Sequence, residues 1–245
     1  MRIRANLALI ACTVAAAALA APAQAASGAA AALSSSCGGD THCYDMNEGP
    51  GAGVMRDTGK SPVNGTIGSE VKTGVSFGGG VTGYTFPRLA PSITSPHPEH
   101  LVTIPDSASV DPGDRPYTIT IRYRTTNAFG NLIQKGQSAT AGGQFKIQLP
   151  KGRPSCYFKG SSGRVGIGWS VAINDGRWHT LVCTRTADRV TLSVDGARAR
   201  VKNGVSGTLN NSSKVTIAGK SNCDQIKTTC DYFGGDVDFV SLSKG

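Results

Sequence analysis

The strict alternation of apolar and polar residues from Tyr117 to Arg124 constrains the fold of this chain more than any other feature. Such a period of two predicts a β-strand with one buried and one solvated face. The same pattern recurs in 144–149, 164–171 and 190–194, and no window of comparable strength has helical spacing. Because one-faced antiparallel strands must cover each other, the sequence predicts an all-β, two-sheet antiparallel sandwich.

Shorter apolar segments and turn residues extend this prediction along the chain. We expect further strands at 101–104, 215–217 and 236–242, and a hairpin turn at Asp195-Gly196. Glycine makes up 32 of the 245 residues, as expected for many strands joined by tight turns. In the segment 164–171, the alternation predicts that Trp169 and Val171 face the core, and we also expect Trp178 to be buried.

The first 25 residues have the features of a signal peptide. Arg2 and Arg4 precede an apolar stretch of 15 residues, Leu7–Ala21, and small residues follow at Ala23 and Ala25. The stretch is shorter than the roughly 20 residues that a membrane-spanning helix needs. We therefore predict a secreted, extracellular protein without a membrane span in its mature chain. This short, alanine-rich leader is typical of bacteria.

The remaining chain divides into two parts. Residues 26–36 are alanine, serine and glycine except for Leu33, which predicts a flexible linker. Residues 37–245 are predicted to form a single folded domain. Nothing in the sequence suggests more than a monomer.

Cysteine usage agrees with an oxidising compartment. Removing the leader also removes Cys12 and leaves an even number of cysteines, which predicts three disulfides. Their spacing favours sequential pairing. The alternative is a metal site, but no two of these cysteines have the C-x-x-C spacing that metal sites commonly use. The predicted pairs are Cys37–Cys43, Cys156–Cys183 and Cys223–Cys230.

The mature chain would carry a positive charge. Without Arg2 and Arg4 it has 23 basic and 16 acidic side chains, a net of +7. Acidic envelope polymers or extracellular glycans are therefore plausible partners, although the charge could serve solubility alone. We expect no nucleic-acid binding, because the sequence has no basic run and no recognised motif.

Two neighbouring stretches resemble a known family. Asp175–Val182 (DGRWHTLV) and Val190–Gly196 (VTLSVDG) are similar to the laminin G-like repeat, a branch of the concanavalin A-like lectin/glucanase superfamily. Three further stretches resemble bacterial secreted members of this group: 57–67, 102–107 and 235–240. The resemblance implies a concanavalin A-like jelly roll, in a group whose members commonly bind glycans or proteins.

The sequence lacks the acids that glycan cleavage requires. Its only glutamates are Glu48, Glu70 and Glu99, and the E-x-D-x-x-E strand of glucanases with this fold is absent. Asp236 and Asp238 have the spacing of a same-face pair, but they lie on the predicted last strand. We therefore predict a secreted, non-catalytic recognition module for an extracellular glycan or envelope component. The alternatives are a glycosidase or lyase of the same fold, or a protein–protein interaction domain.

The resemblance also implies one structural Ca²⁺ on the convex side of the sandwich. Asp238 matches the carboxylate of the closing strand, and Asp57 is a second candidate donor. Alternatively, Asp238 caps a loop amide or faces water. His97 and His100 flank Pro98, which keeps them from sharing a helix face as metal-binding histidines usually do.

Two kinds of side chain are candidates for ligand binding. The first are aromatic rings in predicted loops, which could stack on sugars or merely close the sheet ends: Tyr84, Phe129, Tyr157 and Tyr232. The second are Arg122 and Arg124 on the wet face of their strand, which could form a cationic surface with other basic residues. Those other residues are Lys146, Arg198, Arg200 and Lys202. An ordinary solvated sheet face is the alternative.

Overall fold

The computed structural model describes residues 37, 39–89, 95–222 and 231–245. The predicted signal peptide at 1–25, the linker at 26–36 and the Cys223–Cys230 disulfide lie outside these residues. Among the described helices, none is long and apolar enough to cross a membrane.

The described residues form two antiparallel sheets of eight strands each. The first sheet contains β1 (His42–Tyr44), β4 (Lys72–Ser76), β5 (Thr82–Phe86), β7 (Tyr117–Arg124), β12 (His179–Arg185), β13 (Arg189–Val194), β14 (Arg200–Asn203) and β16 (Gly235–Lys244). The second contains β2 (Val54–Met55), β3 (Gly65–Ile67), β6 (Val102–Ile104), β8 (Asn131–Lys135), β9 (Gln144–Gln148), β10 (Ser155–Gly160), β11 (Gly163–Gly168) and β15 (Val215–Ile217). Short 3-10 helices cover Pro98–His100 and Pro150–Gly152.

Strand order places two edge strands beside each other. The first sheet runs β14-β13-β12-β7-β16-β5-β4, with β1 also paired to β16, and the second runs β11-β10-β9-β8-β15-β6-β3-β2. Contacts between β11 and β14 bring these two edge strands together at one side of the sandwich. The two-sheet all-β fold predicted from the sequence is therefore confirmed.

The alternating pattern places its apolar side chains between the two sheets. Strand β7 spans the predicted residues, and each of its odd-numbered positions is buried. Tyr117 of β7 packs against Phe145 of the second sheet, with ring centroids 5.7 Å apart. Burial of these rings removes apolar area from water and stabilises the contact between the sheets.

Two of the predicted disulfides are present among the described residues. Cys37–Cys43 closes a small loop at the start of the fold. Cys156–Cys183 joins β10 to β12 and therefore links one sheet covalently to the other.

One predicted hairpin turn is confirmed, whereas one predicted strand is shorter than expected. Asp195 and Gly196 both have positive φ angles, 51° and 71°, as the predicted hairpin turn between β13 and β14 requires. In contrast, the predicted strand 164–171 ends at Gly168, and Trp169 is only partly buried. Val171 is 60% exposed, so its predicted place in the core is wrong, because the chain leaves the sheet before reaching it.

Candidate functional site

A cleft lies at the side of the sandwich where β11 and β14 meet. Its volume is about 540 Å³, within the range of roughly 300–1,000 Å³ typical of small-ligand sites. Its walls come from β10, β11 and the segment 202–205 that ends β14. At one end, Arg200 Nη1 donates a 2.5 Å hydrogen bond to the Gly168 carbonyl and connects the two edges.

Tyr157 forms part of the cleft wall. It is paired with Gly166 across β10 and β11, and a Cβ at Gly166 would lie 2.6 Å from the Cβ of Tyr157. Arg164 Cζ lies 3.9 Å from the centre of the tyrosine ring, and Lys146 Nζ lies 6.0 Å from it. The glycine thus leaves room for a ring that is covered by cationic side chains.

The expected exposure of Tyr157 is wrong. The residue lies in β10 rather than in a loop, and only 7% of it is exposed. Burial raises the pKa of its hydroxyl, so the phenol stays neutral and adds no negative charge to the wall. Tyr157 therefore supports Arg164 instead of presenting an open stacking surface.

The accessible part of the cleft is cationic and amphipathic. Arg164 and Lys202 are exposed on its two sides, Asn203 adds an amide, and Val205 is 57% exposed. Among the described residues that line the cleft, none is acidic. Guanidinium and ammonium groups bind carboxylates and sulfates, so this surface is suited to an anionic ligand with some apolar area.

Asp236 and Asp238, the same-face acid pair noted in the sequence, form ion pairs outside the cleft. Asp236 accepts hydrogen bonds from Arg124 Nε at 2.6 Å and from the Thr85 hydroxyl at 2.5 Å. Asp238 accepts one from Arg122. Burial raises the pKa of Asp238, although Arg122 partly offsets this effect. These contacts give both acids a structural role between β7, β16 and β5.

The outer face of the first sheet carries a stacked layer of rings and guanidinium groups. Trp178 packs edge-on against Phe77, with centroids 5.2 Å apart. Arg122 Cζ lies 4.9 Å from the Trp178 ring, and Arg124 Cζ lies 4.6 Å from Phe77. Trp178 is half-buried on this outer face, so its predicted place in the core is wrong. It precedes β12 and packs on arginines that point away from the other sheet.

The predicted cationic surface is not formed as expected. Arg122 and Arg124 are neutralised by Asp238 and Asp236. Lys146 lies on β9 of the second sheet, so it does not extend the face of β7. Charge matching across β7 and β16 thus replaces the expected excess of positive charge. The sequence did not reveal this pairing because the partners are more than a hundred residues apart.

The two predicted calcium donors have other partners. The Asp57 side chain is fully buried and accepts hydrogen bonds from His42 Nδ1 at 2.7 Å and from the amides of Cys43, Gly59 and Val63. Burial raises the pKa of Asp57, but these hydrogen bonds outweigh it and lower the pKa overall. Asp238 pairs with Arg122. Calcium binding stays a prediction, and it would have to compete with these donors.

The remaining aromatic candidates differ in exposure. Tyr84 is fully buried in β5, where its hydroxyl donates to Glu48, so its predicted loop position is wrong. Phe129 is 44% exposed, as expected, and lies between β7 and β8. Tyr232 is half-buried, and its hydroxyl accepts a hydrogen bond from the amide of His97. These rings do not form one surface with Tyr157 in the cleft wall.

Sequence reasoning missed Arg164 and Asn203 and treated Lys202 only as one member of a charged strand. The available signal was the basic residue at every second position from Arg198 to Lys202. That pattern indicates an exposed strand, and β14 is exposed along its whole length. It does not indicate that β11, more than thirty residues earlier, lies opposite.

Comparisons with known proteins agree with the architecture. Residues 123–237 match the family model of the laminin G domain, and no curated protein matches the chain. The mouse laminin alpha1 chain, domains LG4-5, is 17% identical over 63% of this chain and 40% of that chain, with a TM-score of 0.50. The binding domain of Paraclostridial mosquitocidal protein 1 is 14% identical over 84% and 48%, with a TM-score of 0.55.

A third solved structure is that of botulinum neurotoxin type C, described as entering cells through interaction with two ganglioside molecules. It is 11% identical over 84% of this chain and 48% of that chain, with a TM-score of 0.60. This chain spans less than half the length of each of these solved chains. At such identities the likeness establishes the fold. The described residues thus form a laminin G/concanavalin A-like jelly-roll sandwich, and the laminin G domain match covers its segment 123–237.

Proposed function

We propose that this chain is a secreted, non-catalytic recognition module that binds an anionic extracellular glycan in the cleft between β11 and β14. The observation that carries the proposal is the composition of the cleft. Arg164 and Lys202 stand on opposite walls, and no acid is found among the described lining residues. A uronate or sulfate group could contact both cations, while its sugar ring would cover the exposed Val205.

The same composition argues against hydrolysis in this cleft. Glycosidases of most families need two carboxyl groups on either side of the scissile bond. The neighbouring solved folds also include a toxin binding domain and a neurotoxin that interacts with gangliosides, which is consistent with a recognition role. Extracellular location is supported by the leader-like first 25 residues and by the disulfides, which persist in oxidising compartments.

Binding to immobilised polysaccharides tests the proposal. The secreted protein should be retained by polyuronates or sulfated glycans, and by neutral dextran much less. Retention should fall with added salt, because the contacts are ionic. The Arg164→Ala, Lys202→Ala double variant should bind about thirtyfold more weakly, since two exposed ionic contacts of about 1 kcal/mol each sum to about 2 kcal/mol.

The matched control is the Lys60→Ala, Lys72→Ala double variant, which also removes two positive charges. Both lysines are exposed and neither lines the cleft. Lys72 lies on β4 at the opposite edge of the first sheet, and Lys60 lies between β2 and β3 at the opposite edge of the second. Equal retention of the Arg164→Ala, Lys202→Ala variant and the control would remove the cleft from the proposal. Release of reducing or unsaturated sugar ends from any of the polysaccharides would favour the enzyme alternative. Failure to bind every anionic glycan at low salt would refute the glycan proposal.

A further inference from the structure

Three unsatisfied polar atoms meet beside the 3-10 helix at 98–100. Within the described part of the chain, Glu70 Oε2, His97 Nδ1 and His100 Nδ1 are buried atoms without a hydrogen-bond partner. Glu70 Oε2 lies 3.4 Å from His97 Nδ1 and 3.9 Å from His100 Nδ1. Buried polar atoms are nearly always satisfied, so three such atoms facing each other call for a missing partner. We refer to Glu70, His97 and His100 as the His–Glu cluster.

The hydrogen bonds of His100 show what kind of partner is missing. Its side chain is fully buried, and Nε2 lies 2.8 Å from the carbonyl oxygen of Phe233. A carbonyl only accepts, so Nε2 carries the hydrogen. A second hydrogen on Nδ1 would make the ring a buried cation, and the nearest carboxylate oxygen, Glu70 Oε2 at 3.9 Å, lies beyond hydrogen-bond distance. Nδ1 therefore holds a lone pair directed toward Glu70, which is itself an acceptor. A cation between the two atoms would satisfy both.

The surrounding structure holds the cluster in place. The Tyr232 ring packs edge-on against both imidazoles, with centroids 6.3 Å from His97 and 5.1 Å from His100. The Glu70 amide donates a 2.9 Å hydrogen bond to the Glu99 carbonyl, which joins the turn at 68–70 to the 3-10 helix. His97 precedes the 3-10 helix Pro98–His100, so the two histidines do not share a helix face, as the sequence predicted. However, the short helix brings both rings to one carboxylate.

We propose that Glu70, His97 and His100 bind one first-row divalent metal ion of the zinc type. Two imidazole nitrogens and a carboxylate are a ligand set that zinc accepts, whereas Ca²⁺ and Mg²⁺ prefer oxygen. Two ligands of a tetrahedral zinc ion, at bond lengths of about 2.0–2.1 Å, lie about 3.4 Å apart. That separation matches the distance between Glu70 Oε2 and His97 Nδ1. The hydrogen bond from His100 Nε2 to the Phe233 carbonyl orients the ring, as the second ring nitrogen of a metal-binding histidine commonly does.

The cluster must close when it binds the ion, because the Nδ1 atoms of His97 and His100 lie more than 4.8 Å apart. Among the described residues, the only group whose three ligand atoms all lie within 4.8 Å is Cys37, Cys43 and Asp45, where both sulfurs form a disulfide. The His97 and Glu70 side chains are 32% and 35% exposed, so both can rotate toward the fixed His100. Glu99 Oε2, 4.0 Å from His97 Nδ1, can occupy a fourth position, as can water.

Calorimetric titration of the metal-stripped, untagged protein with Zn²⁺ tests this site under non-reducing conditions. We expect one ion per chain and a higher melting temperature, and no such effect from Mg²⁺. Co²⁺ should give visible absorption bands of a four-coordinate site, and Zn²⁺ should abolish them. His97→Ala and Glu70→Gln should each weaken binding about tenfold or more. Both side chains are partly exposed, so the metal-free variants should keep the melting temperature of the parent protein.

Asp188→Asn is the matched control, because it removes an exposed carboxylate of the β12–β13 turn that pairs with Arg189. This variant should bind Zn²⁺ like the parent protein. Absence of Zn²⁺ binding would overturn the proposal. So would equal binding by the parent protein, His97→Ala and Glu70→Gln. The glycan proposal does not depend on this result, since no residue of the His–Glu cluster lines the cleft.

Discussion

Replacing Asp57 with asparagine would disturb the hydrogen bonds that hold the beginning of the fold. The carboxylate accepts from His42 Nδ1 at 2.7 Å and from the amides of Cys43, Gly59 and Val63 at 2.7–2.9 Å. Asparagine keeps one acceptor oxygen, but its amide group would face donors. Hydrogen bonds to a charged group contribute about 1.5–3 kcal/mol each. We therefore expect the free energy of unfolding to fall by about 3 kcal/mol near pH 7.

The pH dependence of this loss identifies its cause. The pKa of Asp57 is lower in the folded chain than in the unfolded chain, so its stabilising contribution is present above the unfolded pKa of about 3.9. That contribution is lost as the pH falls through the folded pKa. The difference between parent and Asp57→Asn should consequently shrink toward about pH 3.

Urea unfolding followed by tryptophan fluorescence measures both quantities. Asp188→Asn, which alters an exposed carboxylate, should leave the unfolding midpoint almost unchanged. A loss below about 1 kcal/mol for Asp57→Asn near pH 7, or the same loss at both pH values, would refute the reasoning. A loss that appears only in the presence of Ca²⁺ would instead support the predicted role of Asp57 as a calcium donor.

Two further substitutions test other parts of the fold. Changing Cys156 and Cys183 to serine removes a bridge with a sequence separation of 27 and should lower the free energy of unfolding by about 3.5 kcal/mol; an unchanged guanidinium midpoint would contradict this. Arg122→Ala leaves the Asp238 carboxylate, 4% exposed, without its counter-ion and should lower that free energy by about 3 kcal/mol near pH 7. Burial raises the pKa of Asp238 in the folded chain. Protonation of Asp238 should therefore reduce the loss of stability caused by Arg122→Ala as the pH falls below that pKa. Equal losses in urea unfolding at about pH 7 and pH 4 would argue against the Arg122–Asp238 pairing.

Much of the fold could be predicted because alternation is a local property of a strand. The residues of β7 alternate in the sequence as they do between core and solvent, so its bounds were predicted correctly. The hairpin turn at Asp195-Gly196 and two sequential disulfides also follow from short-range patterns. In contrast, the positions of Tyr84 and Trp178 were wrong, because the exposure of a ring depends on strands that are distant in the sequence.

Neither proposed site could be predicted from local sequence patterns, for the same reason. Arg164 and Lys202 line the same cleft only because β11 and β14 are edge strands of two different sheets that contact each other. His97 and His100 meet Glu70 only because a 3-10 turn packs against a segment almost thirty residues earlier. A period of two residues specifies which side chains enter the core. Strand order and sheet stacking specify which surface side chains become neighbours, and these are decided by packing of the whole chain.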